Sequence, residues 1–382
     1  MMETAIREQD IQQLPKINYT IKQDEFYKRC SEKVNAYFRD RKLSKFAGSR
    51  MYGKTFLLLF LWVGMFALIM TNWFTGWQLI VLQVAWHMVM FLMSVGIAHD
   101  GTHHAYSTND RINKFFTGIF DFIGINSDMW EYNHILSHHN APNVPIYDSA
   151  IFSMPIFRLH PRAPYRSFHR YQHLYIFGIY ALSTLFKLFI LDFFSFNRTR
   201  IGFVSVKKKN LQNFLYLVFT KVVVVSYTLV LPLIFLDAPA WQIVTGFIIG
   251  HLLAGILLGV IFQVTHLHKA TTWPEPDADG NIHNSFAQHI METTADFSPT
   301  SHFWTWVSGG LNIHVAHHLF PSVSQMHLIP LARIVKETAE ECGVEYVYYP
   351  TVIAALRSHF TTLRRLGQPE SIPQQKAAFM VA

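Results

Sequence analysis

The chain divides into long apolar blocks separated by polar segments, instead of alternating between apolar and polar positions. Each of four blocks comes close to the roughly 20 residues that a helix needs to cross the hydrocarbon core of a bilayer. A short uncharged segment, Asn72–Gly76, separates the first two blocks, and Asp237–Ala240 separates the last two. The pattern therefore predicts four transmembrane helices in two tight hairpins: Phe56–Thr71, Trp77–Ala98, Leu211–Leu236 and Trp241–Val264.

A fifth apolar run, Leu174–Phe194, differs from these because it contains Lys187 and Asp192. A charge near the centre of a membrane helix costs about 2.5–3.5 kcal/mol on the insertion scale. Lysine and arginine are abundant before the first block and in the long middle segment, and they are missing from both hairpin turns. The positive-inside rule then places the N-terminus, the middle segment and the C-terminal region in the cytoplasm. A fifth crossing would break this arrangement, so we expect the run to be interfacial or re-entrant.

The composition agrees with a membrane protein. Apolar residues make up 51% of the chain and charged residues only 15%, whereas soluble domains are about 25% charged. The two cysteines, Cys30 and Cys342, are too few for a disulfide framework or a four-cysteine iron–sulfur site. The polar N-terminus does not resemble a signal peptide. The lysines and arginines behind the net charge of +7 lie where the membrane topology requires them, so we expect no nucleic-acid partner.

Nine of the 21 histidines fall into three tight groups. On a helix, positions i and i+3 or i+4 share a face, so each group can present imidazoles side by side. Under the four-span topology all three groups lie on one side of the membrane. The first group follows the second span, the second lies farther along the middle segment, and the third follows the fourth span: His99, His103 and His104; His134, His138 and His139; His314, His317 and His318.

Such a concentration of neutral nitrogen donors indicates metal binding, whereas an isolated histidine is usually a surface or interface residue. We interpret seven histidines in that ordinary way: His87, His160, His169, His173, His302, His327 and His359. Nine imidazoles exceed what one four-coordinate ion can use, so two metals are expected. Imidazole suits iron, copper, nickel and zinc, and spacing does not name the metal. Four acids are either partners that hold imidazole N–H groups or solvated loop residues: Asp100, Glu131, Glu292 and Asp296.

We therefore predict an all-α integral membrane fold with four transmembrane helices in two hairpins, interfacial helices and a cytosolic helical cap that carries the metal site. The predicted parts are a cytosolic N-terminal segment (residues 1–54), a membrane domain (55–350) and a C-terminal tail (351–382). The protein would be multi-pass, in a bacterial inner membrane or the endoplasmic reticulum.

The three groups have the spacings His-Asp-x-x-His-His, His-x-x-x-His-His and His-x-x-His-His, and in this order they resemble the histidine boxes of the integral-membrane fatty-acid desaturases. Three flanking segments are similar to the same family: Glu292–Phe297, Gly309–Asn312 and Leu319–Pro321. The resemblance covers roughly residues 50–350, and the combined pattern is far more specific than any one box.

The resemblance implies two non-haem iron ions that activate O₂ and remove two vicinal hydrogens from an acyl chain. It also implies a histidine at the cytoplasmic end of the last span, here His266, with His268 as the competing choice. In the first box, His99 and His104 match the most widespread family spacing, and His103 matches it less well. The implied ligands are His99, His103, His104, His134, His138, His139, His266, His314, His317 and His318.

Two departures concern substrate position and electron supply. Front-end desaturases typically carry glutamine where the third box begins, whereas this chain has His314, which counts against front-end regiochemistry. Those enzymes often carry a fused cytochrome b5 with a His-Pro-Gly-Gly haem motif, and His160-Pro161-Arg162 is not that motif. The resemblance then implies a separate electron donor of the ferredoxin, rubredoxin or cytochrome b5 type.

An acyl chain is apolar, so we expect it to enter a tunnel among the spans while its carrier stays at the basic cytoplasmic face. The carrier is CoA, acyl carrier protein or a lipid. A group of arginines, together with the three lysines at 207–209, either binds a phosphate-bearing head group, an anionic lipid or an acidic electron donor, or only enforces the topology. These arginines are Arg158, Arg162, Arg166 and Arg170.

Two other function classes fit parts of the pattern. Hydroxylases, acetylenases and carotenoid oxygenases use similar histidine boxes and differ in the fate of the substrate radical. A membrane metal-binding or transport protein would need ionisable residues along the spans. The four spans are largely apolar apart from His87, Lys221 and His251, which argues against a transport path.

Overall fold

The structure, a computed structural model, describes residues 14–151, 155–207 and 209–369. The ends of the predicted N-terminal segment and C-terminal tail, together with Lys208 of the basic run, lie outside the described residues. The described chain is mostly helical. Its α-helices are α1 (Glu25–Asp40), α2 (Ser49–Ile69), α3 (Gly76–Met93), α4 (His99–Thr102), α5 (Asp110–Thr117), α6 (Ile119–Phe122), α7 (Ser127–Trp130), α8 (Gln172–Phe186), α9 (Asp192–Asn197), α10 (Leu211–Val225), α11 (Leu231–Phe235), α12 (Ala240–His266), α13 (Phe286–Thr293), α14 (His302–Ser308), α15 (His314–Leu319), α16 (Leu328–Cys342) and α17 (Val352–Leu366).

Shorter elements connect these helices. Four segments are π-helical: Ser94–Ala98, Glu131–His138, Lys187–Leu191 and Ser226–Val230. Two are 3₁₀-helical: Ser167–Tyr171 and Gln325–His327. Six two-residue strands form three ribbons, in which β1 (Asn18–Tyr19) pairs in parallel with β4 (Asn281–Ile282), β2 (Arg200–Ile201) pairs antiparallel with β3 (Val204–Ser205), and β5 (Asp296–Phe297) pairs in parallel with β6 (Tyr348–Tyr349).

Among the described residues, five continuous helical stretches are long and apolar enough to cross a membrane: Ser49–Ile69, Gly76–Thr102, Ser167–Asn197, Leu211–Phe235 and Ala240–His266. Four of them correspond to the predicted spans. The two hairpin turns lie together, because the side chain of Asn72 donates to the carbonyl of Phe235 and accepts from the backbone N–H of Asp237. The opposite ends of these four helices therefore share the other side of the molecule.

Small residues let α12 approach its neighbours closely. A Cβ added at Gly246 would lie 1.8 Å from the side-chain oxygen of Gln83 on α3, and one at Gly250 would collide with the ring of His87. On another face of α12, a Cβ at Gly255 would lie 2.3 Å from the carbonyl oxygen of Ala181 on α8. Close approach through small residues is the usual packing of membrane helices, which lack a hydrophobic drive toward one another.

The first half of the fifth long stretch, α8, runs along α12. Tyr180 lies against Gly259, and Thr184 donates to the carbonyl of His251. Leu188, which follows α8, packs in one buried cluster with Phe247. The residues of α12 that these side chains contact therefore lie progressively farther from His266 and closer to the hairpin turn.

The second half of the stretch contacts α10 in the reverse direction. Leu188 also packs with Val224, Asp192 accepts from Lys221 at 2.6 Å, and Phe196 packs with Leu217. These partners on α10 run back toward its first residue. The π-helical segment Lys187–Leu191 lies where the direction changes, and π-helical turns are a known cause of bends.

The beginning of the fifth stretch lies beside the C-terminal helix α17, and its end lies beside the second histidine box. At its beginning, Gln172 donates to the carbonyl of Leu363 on α17. Just beyond its end, a Cβ at Gly202 would lie 2.1 Å from the carbonyl oxygen of Tyr147 and 2.7 Å from the hydroxyl of Ser137 in the second box. The stretch therefore leaves and returns on the same side of the molecule.

Candidate metal centre

The structure gathers eight histidines into two buried groups of four. In each group, one ligand nitrogen from every imidazole lies within 4.8 Å of the others. The first group takes members from all three boxes, and the second takes its members from the second and third boxes and from the end of α12. The first group is His99, His103, His134 and His317, and the second is His138, His266, His314 and His318.

The first group converges on Nε2 atoms. The Nε2 of His134 lies 3.0 Å from that of His99 and 3.2 Å from that of His103. His139 adds a fifth ring to this cluster, since its Nε2 lies 3.2 Å from the Nε2 atoms of both His134 and His317. A neutral imidazole has one lone pair and one N–H, so five converging nitrogens can present lone pairs to one cation.

The second group offers nitrogen atoms that no protein group satisfies. The Nε2 atoms of His138 and His266, and both ring nitrogens of His314 and His318, are buried without a hydrogen-bond partner among the described residues. Buried polar atoms normally have partners. Four imidazoles with unpaired nitrogens in one place therefore fit a transition-metal ion, which imidazole binds well.

In two rings of the second group, a hydrogen bond to Nδ1 fixes the orientation of the imidazole. The Nδ1 of His138 lies 3.0 Å from Asp148, and the Nδ1 of His266 lies 3.2 Å from the carbonyl of Thr293. An Nδ1–H that donates to such an acceptor leaves the lone pair on Nε2 free for a metal. Asp148 is itself held, because it accepts from the backbone N–H groups of Asn143 and Ala150.

Burial keeps the cluster neutral. The imidazoles outside the membrane helices lose their hydration, and their neighbouring rings repel a positive charge, so their pKa values lie well below the usual value: His103, His134, His139, His314, His317 and His318. Burial is the larger cause for each of them. Neutral imidazole is the form that binds metal, so these rings are ready ligands at physiological pH.

A π-helical turn explains how the second box serves both groups. Its backbone N–H at His139 donates to the carbonyl of His134, five residues earlier, at 3.0 Å. An α-helical interpretation puts His134 and His138 side by side on one face. In the structure His134 and His139 lie with the first group, and His138 turns to the second.

The expectation that His104 is a ligand is not met by the structure. Helix α4 ends at Thr102, and His104 has a left-handed backbone conformation with φ of 53°. This conformation turns the side chain away from its neighbour His103. The imidazole of His104 is 58% exposed, and its Nδ1 lies 2.9 Å from Asp110. In the first box, therefore, His103 and His99 converge and His104 does not.

The two histidines considered as the ligand at the end of α12, His266 and His268, lie in different places. His266 is the last residue of the helix and belongs to the second group. His268 is buried beside the ring of Tyr349, with ring centroids 6.0 Å apart, and it belongs to neither group.

Three of the four acids suggested by the sequence, Asp100, Asp296 and Glu292, bond to groups other than imidazoles. Asp100 accepts from the hydroxyl of Ser324 at 2.9 Å and from the backbone of Gln325, which ties the first box to the segment after the third. Asp296 accepts from the backbone N–H of Val315 and from the hydroxyl of Tyr346. It therefore caps the start of α15, the helix of the third box, and burial raises its pKa to about 6.

The two glutamates differ in their surroundings. Glu292 accepts from the side-chain amides of Asn284 and Gln288. Glu131 is exposed. The carboxylate that contacts a histidine of the second group is Asp148, which bonds to His138. The two residues are ten positions apart in the sequence, and no helical spacing rule predicts this contact.

Three of the four arginines considered for docking are exposed, and the fourth is part of the core. Arg158 is buried and donates to the carbonyls of Ala163, Leu366 and Gln368. Its guanidinium group therefore joins the middle segment to the C-terminal helix, and the expectation that it binds a head group is wrong. The exposed members are Arg162, Arg166 and Arg170.

A narrow cavity, too small to admit a water molecule, lies directly beside the first group. Its walls come from the π-helical end of the second long helix, from the segment between the first two boxes and from the half of α12 that ends at His266. Most of the lining is apolar: Ser94, Val95, His99, Phe120, Ile125, Trp130, Leu258 and Phe262.

Comparison with known proteins gives a consistent result. The family model for fatty acid desaturase matches residues 71–350. The chain is 32% identical to an acyl-lipid (8-3)-desaturase from Physcomitrium patens, over 91% of the chain and 72% of that protein. It is 31% identical to an sn-1 linoleoyl-lipid 6-desaturase from Synechocystis sp., over 92% of the chain and 98% of that protein. An acyl-lipid (8-3)-desaturase from Mortierella alpina is 28% identical over 90% of the chain and 78% of that protein.

Proposed function

This chain belongs to the fatty acid desaturase family and is an oxidoreductase that acts on fatty-acyl chains, and we propose that it desaturates an acyl chain esterified to a membrane lipid with two histidine-bound irons and O₂. The observation that carries the proposal is the pair of converging, buried imidazole groups. An unactivated C–H bond is inert, so it needs both a strong oxidant and exact positioning of the chain.

The bound irons would supply the oxidising power: the chain loses two hydrogens, a donor protein adds two electrons and the solvent two protons, and O₂ becomes two waters. The protein holds the ligands in place, excludes water and keeps the substrate carbon beside the first group. Burial of the histidines and the apolar lining of the cavity serve these last two roles.

We assign five ligands to the first iron and four to the second. His139 would be the fifth, since its Nε2 lies 3.2 Å from the Nε2 atoms of His134 and His317. For bonds of about 2.1 Å, two nitrogens at right angles around a metal lie about 3 Å apart. Zinc sites use three or four protein ligands, so a set of five imidazoles favours iron over zinc.

The names of the relatives support an acyl-lipid substrate. Those from Physcomitrium patens, Synechocystis sp. and Mortierella alpina are all named for acyl chains on lipids. The residues beside the first group are mostly apolar, which suits an acyl chain that a lipid in the surrounding bilayer can supply. We therefore favour a lipid over CoA or acyl carrier protein as the carrier.

The same names bear on the position of the new bond. A linoleoyl chain already has its double bonds farther from the carboxyl group than carbon 6, so a 6-desaturase adds one on the carboxyl side. This favours front-end regiochemistry, although the third box begins with His314 instead of glutamine. His314 is a member of the second group, so its identity reports on metal binding more directly than on regiochemistry.

We propose that a separate electron donor with an acidic surface docks near the C-terminal helix. Arg166 and Arg170 are exposed, as are Arg364 and Arg365 on α17. The two pairs lie together, because a Cβ at Gly367 would be 2.3 Å from the carbonyl oxygen of His169. Complementary charge would speed the encounter with an acidic donor.

Four crossings of the membrane fit the chain better than five. The fifth long helix leaves and returns beside the second box and α17, and its charged residues Lys187 and Asp192 pair at 3.0 Å within the protein. We therefore treat it as re-entrant, with all three boxes in the cytoplasm as the positive-inside rule requires.

Cysteine labelling tests this topology. In a chain without Cys30 and Cys342, an impermeant reagent added outside sealed cells should label cysteines at Asn72 or Asp237. It should not label cysteines at Thr199 or Lys269 until the membrane is opened. Because Thr199 follows the fifth helix and Lys269 follows the fourth span, external labelling of either position would contradict a re-entrant helix or cytoplasmic boxes.

Fatty-acid profiles test the proposed reaction. Expression in a host that supplies linoleoyl lipids should produce an acyl chain with one additional double bond, and membranes with an equal amount of His317→Ala should lack it. Gas chromatography with mass spectrometry of the lipid esters gives both the product and the bond position. A hydroxylated chain as the main product would assign the protein to the related hydroxylases instead.

A further inference from the structure

Asn143 lies in the irregular segment between the second histidine box and Asp148. It is fully buried, and its backbone has a left-handed conformation with φ of 60°. Asparagine is one of the few residues besides glycine that adopt this conformation readily. From this position, the backbone and the side chain of Asn143 bond to groups that hold two different rings of the second group.

The backbone of Asn143 supports the first of these rings. Its N–H donates to Oδ2 of Asp148 at 2.9 Å, and the same oxygen lies 3.0 Å from Nδ1 of His138. A carboxylate that accepts from the far nitrogen of an imidazole fixes the orientation of the ring and makes it a stronger ligand. Asn143 therefore helps to hold the carboxylate that orients His138.

The side chain of Asn143 supports the second ring, at the end of α12. Its Nδ2 donates to the carbonyl of His266 at 2.9 Å and to that of Thr293 at 3.2 Å, and the carbonyl of Thr272 lies 3.4 Å away. The last carbonyls of a helix have no partner within the helix, so the amide supplies one to the final residue of α12. The carbonyl of Thr293 also lies 3.2 Å from Nδ1 of His266. The amide thus holds both the backbone of His266 and the acceptor that orients its ring.

The chemistry of the amide explains why asparagine suits this position. Carbonyl oxygens only accept hydrogen bonds, and the amide nitrogen carries two N–H donors, so the nitrogen is the end of the side chain that faces the three carbonyls. An aspartate of the same size would place a carboxylate oxygen against them. The bonds to His266 and Thr293 also join segments that are 123 and 150 positions from Asn143 in the sequence.

We propose that Asn143 is a positioning residue for the second group, and that binding of the iron there depends on its hydrogen bonds. This inference rests on the proposed function, in which the second group holds one of two irons. Loss of an outer partner of a ligand typically weakens metal binding by about 10- to 100-fold. We expect a loss of this size at the second group and little change at the first, because His138 and His266 both belong to the second group.

Two substitutions remove the side-chain donor without straining the backbone, since glycine and aspartate both tolerate a left-handed conformation. N143G removes the amide and leaves a space. N143D keeps the size of the side chain and replaces the donor nitrogen with an oxygen. Weaker binding in both variants follows from the missing N–H groups, whereas a residue that only fills space would show the loss in N143G alone.

Asn72 supplies a matched control at the opposite end of the membrane helices. It has the same φ of 60°, and its side-chain nitrogen also donates to a backbone carbonyl, that of Phe235. N72G and N72D remove this bond from the turn between the first two spans. They should bind iron as the unchanged protein does.

Iron content at a fixed concentration of free iron(II) provides the measurement. The full-length, iron-loaded protein in detergent would be dialysed without oxygen against chelator buffers, and the iron per chain determined by elemental analysis. N143G and N143D should release one iron at a free iron(II) concentration about 10- to 100-fold higher than the unchanged protein does, and the other iron at an unchanged concentration.

Three results would overturn the role of Asn143 and leave the desaturase function intact. These are tight binding of both irons in N143D, equal weakening of both irons in the Asn143 variants, and the same loss in the Asn72 variants. Fewer than two irons in the unchanged, active protein would instead overturn the two-iron centre, and the role of Asn143 with it.

Discussion

Alanine at His103 should abolish desaturation, whereas alanine at the adjacent His104 should leave most of it. His103 contributes its Nε2 to the first group, 3.2 Å from that of His134. Removing a ligand opens a coordination position and changes the redox balance of both metals, so the loss should exceed the roughly 10- to 100-fold that removal of an outer partner of a ligand costs. His104 is exposed and pairs with Asp110 on the surface, where substitutions usually change the free energy of unfolding by less than about 0.5 kcal/mol.

The comparison needs expression-matched membranes and one assay of the unsaturated product. The two variants differ by one position in the same box, so errors in insertion or expression affect both alike. Loss of activity in His104→Ala with activity retained in His103→Ala would show that the family's more widespread spacing applies and that the left-handed turn at His104 is not the active conformation.

The family and its reaction were predictable from the sequence, and the comparisons confirm both. The family and the reaction were predicted from the resemblance of the three histidine boxes and their flanking segments to those of known desaturases. The spacing of the histidines, on helices beside four apolar blocks, indicated by itself only a metal site. Because helix geometry is regular, such a pattern brings rings together wherever the blocks pack. The histidine ligand set itself stays a prediction, to be tested by substitution.

Local irregularities of the backbone decide which histidines of each box converge, and the sequence did not predict them. An α-helical reading of the boxes does not anticipate that His104 adopts a positive φ, or that a π-helical turn sends His134 and His138 to different groups. Both features depend on packing around the boxes.

Side-chain contacts between residues far apart in the sequence were also not predicted. Asp148 holds His138 from ten residues away, and Arg158 is buried by carbonyls more than 200 residues away, at Leu366 and Gln368. The interpretation of isolated histidines as surface or interface residues is wrong for His359, whose two ring nitrogens bond to the carbonyl of Leu267 and the hydroxyl of Tyr180 in the core. Such satisfied core histidines have no local signature.

Purified, active protein should contain about two irons per chain. Two separate groups of imidazoles, each converging on its own set of nitrogens, leave no single point where all could bind one ion. Neutral, buried rings in both groups bind without the cost of removing protons. Chelation should therefore abolish desaturation, and iron(II) with a reductant should restore it, whereas zinc should fill the same positions without redox activity.

Elemental analysis of the detergent-purified enzyme, with turnover measured on the same sample, tests the two-metal centre most directly. The result expected is about two irons per chain in proportion to activity, and a lower iron content with no activity in His103→Ala and in His266→Ala, which each remove a ligand from a different group. Full activity with one iron per chain, or with zinc alone, would contradict a di-iron centre built by these two groups.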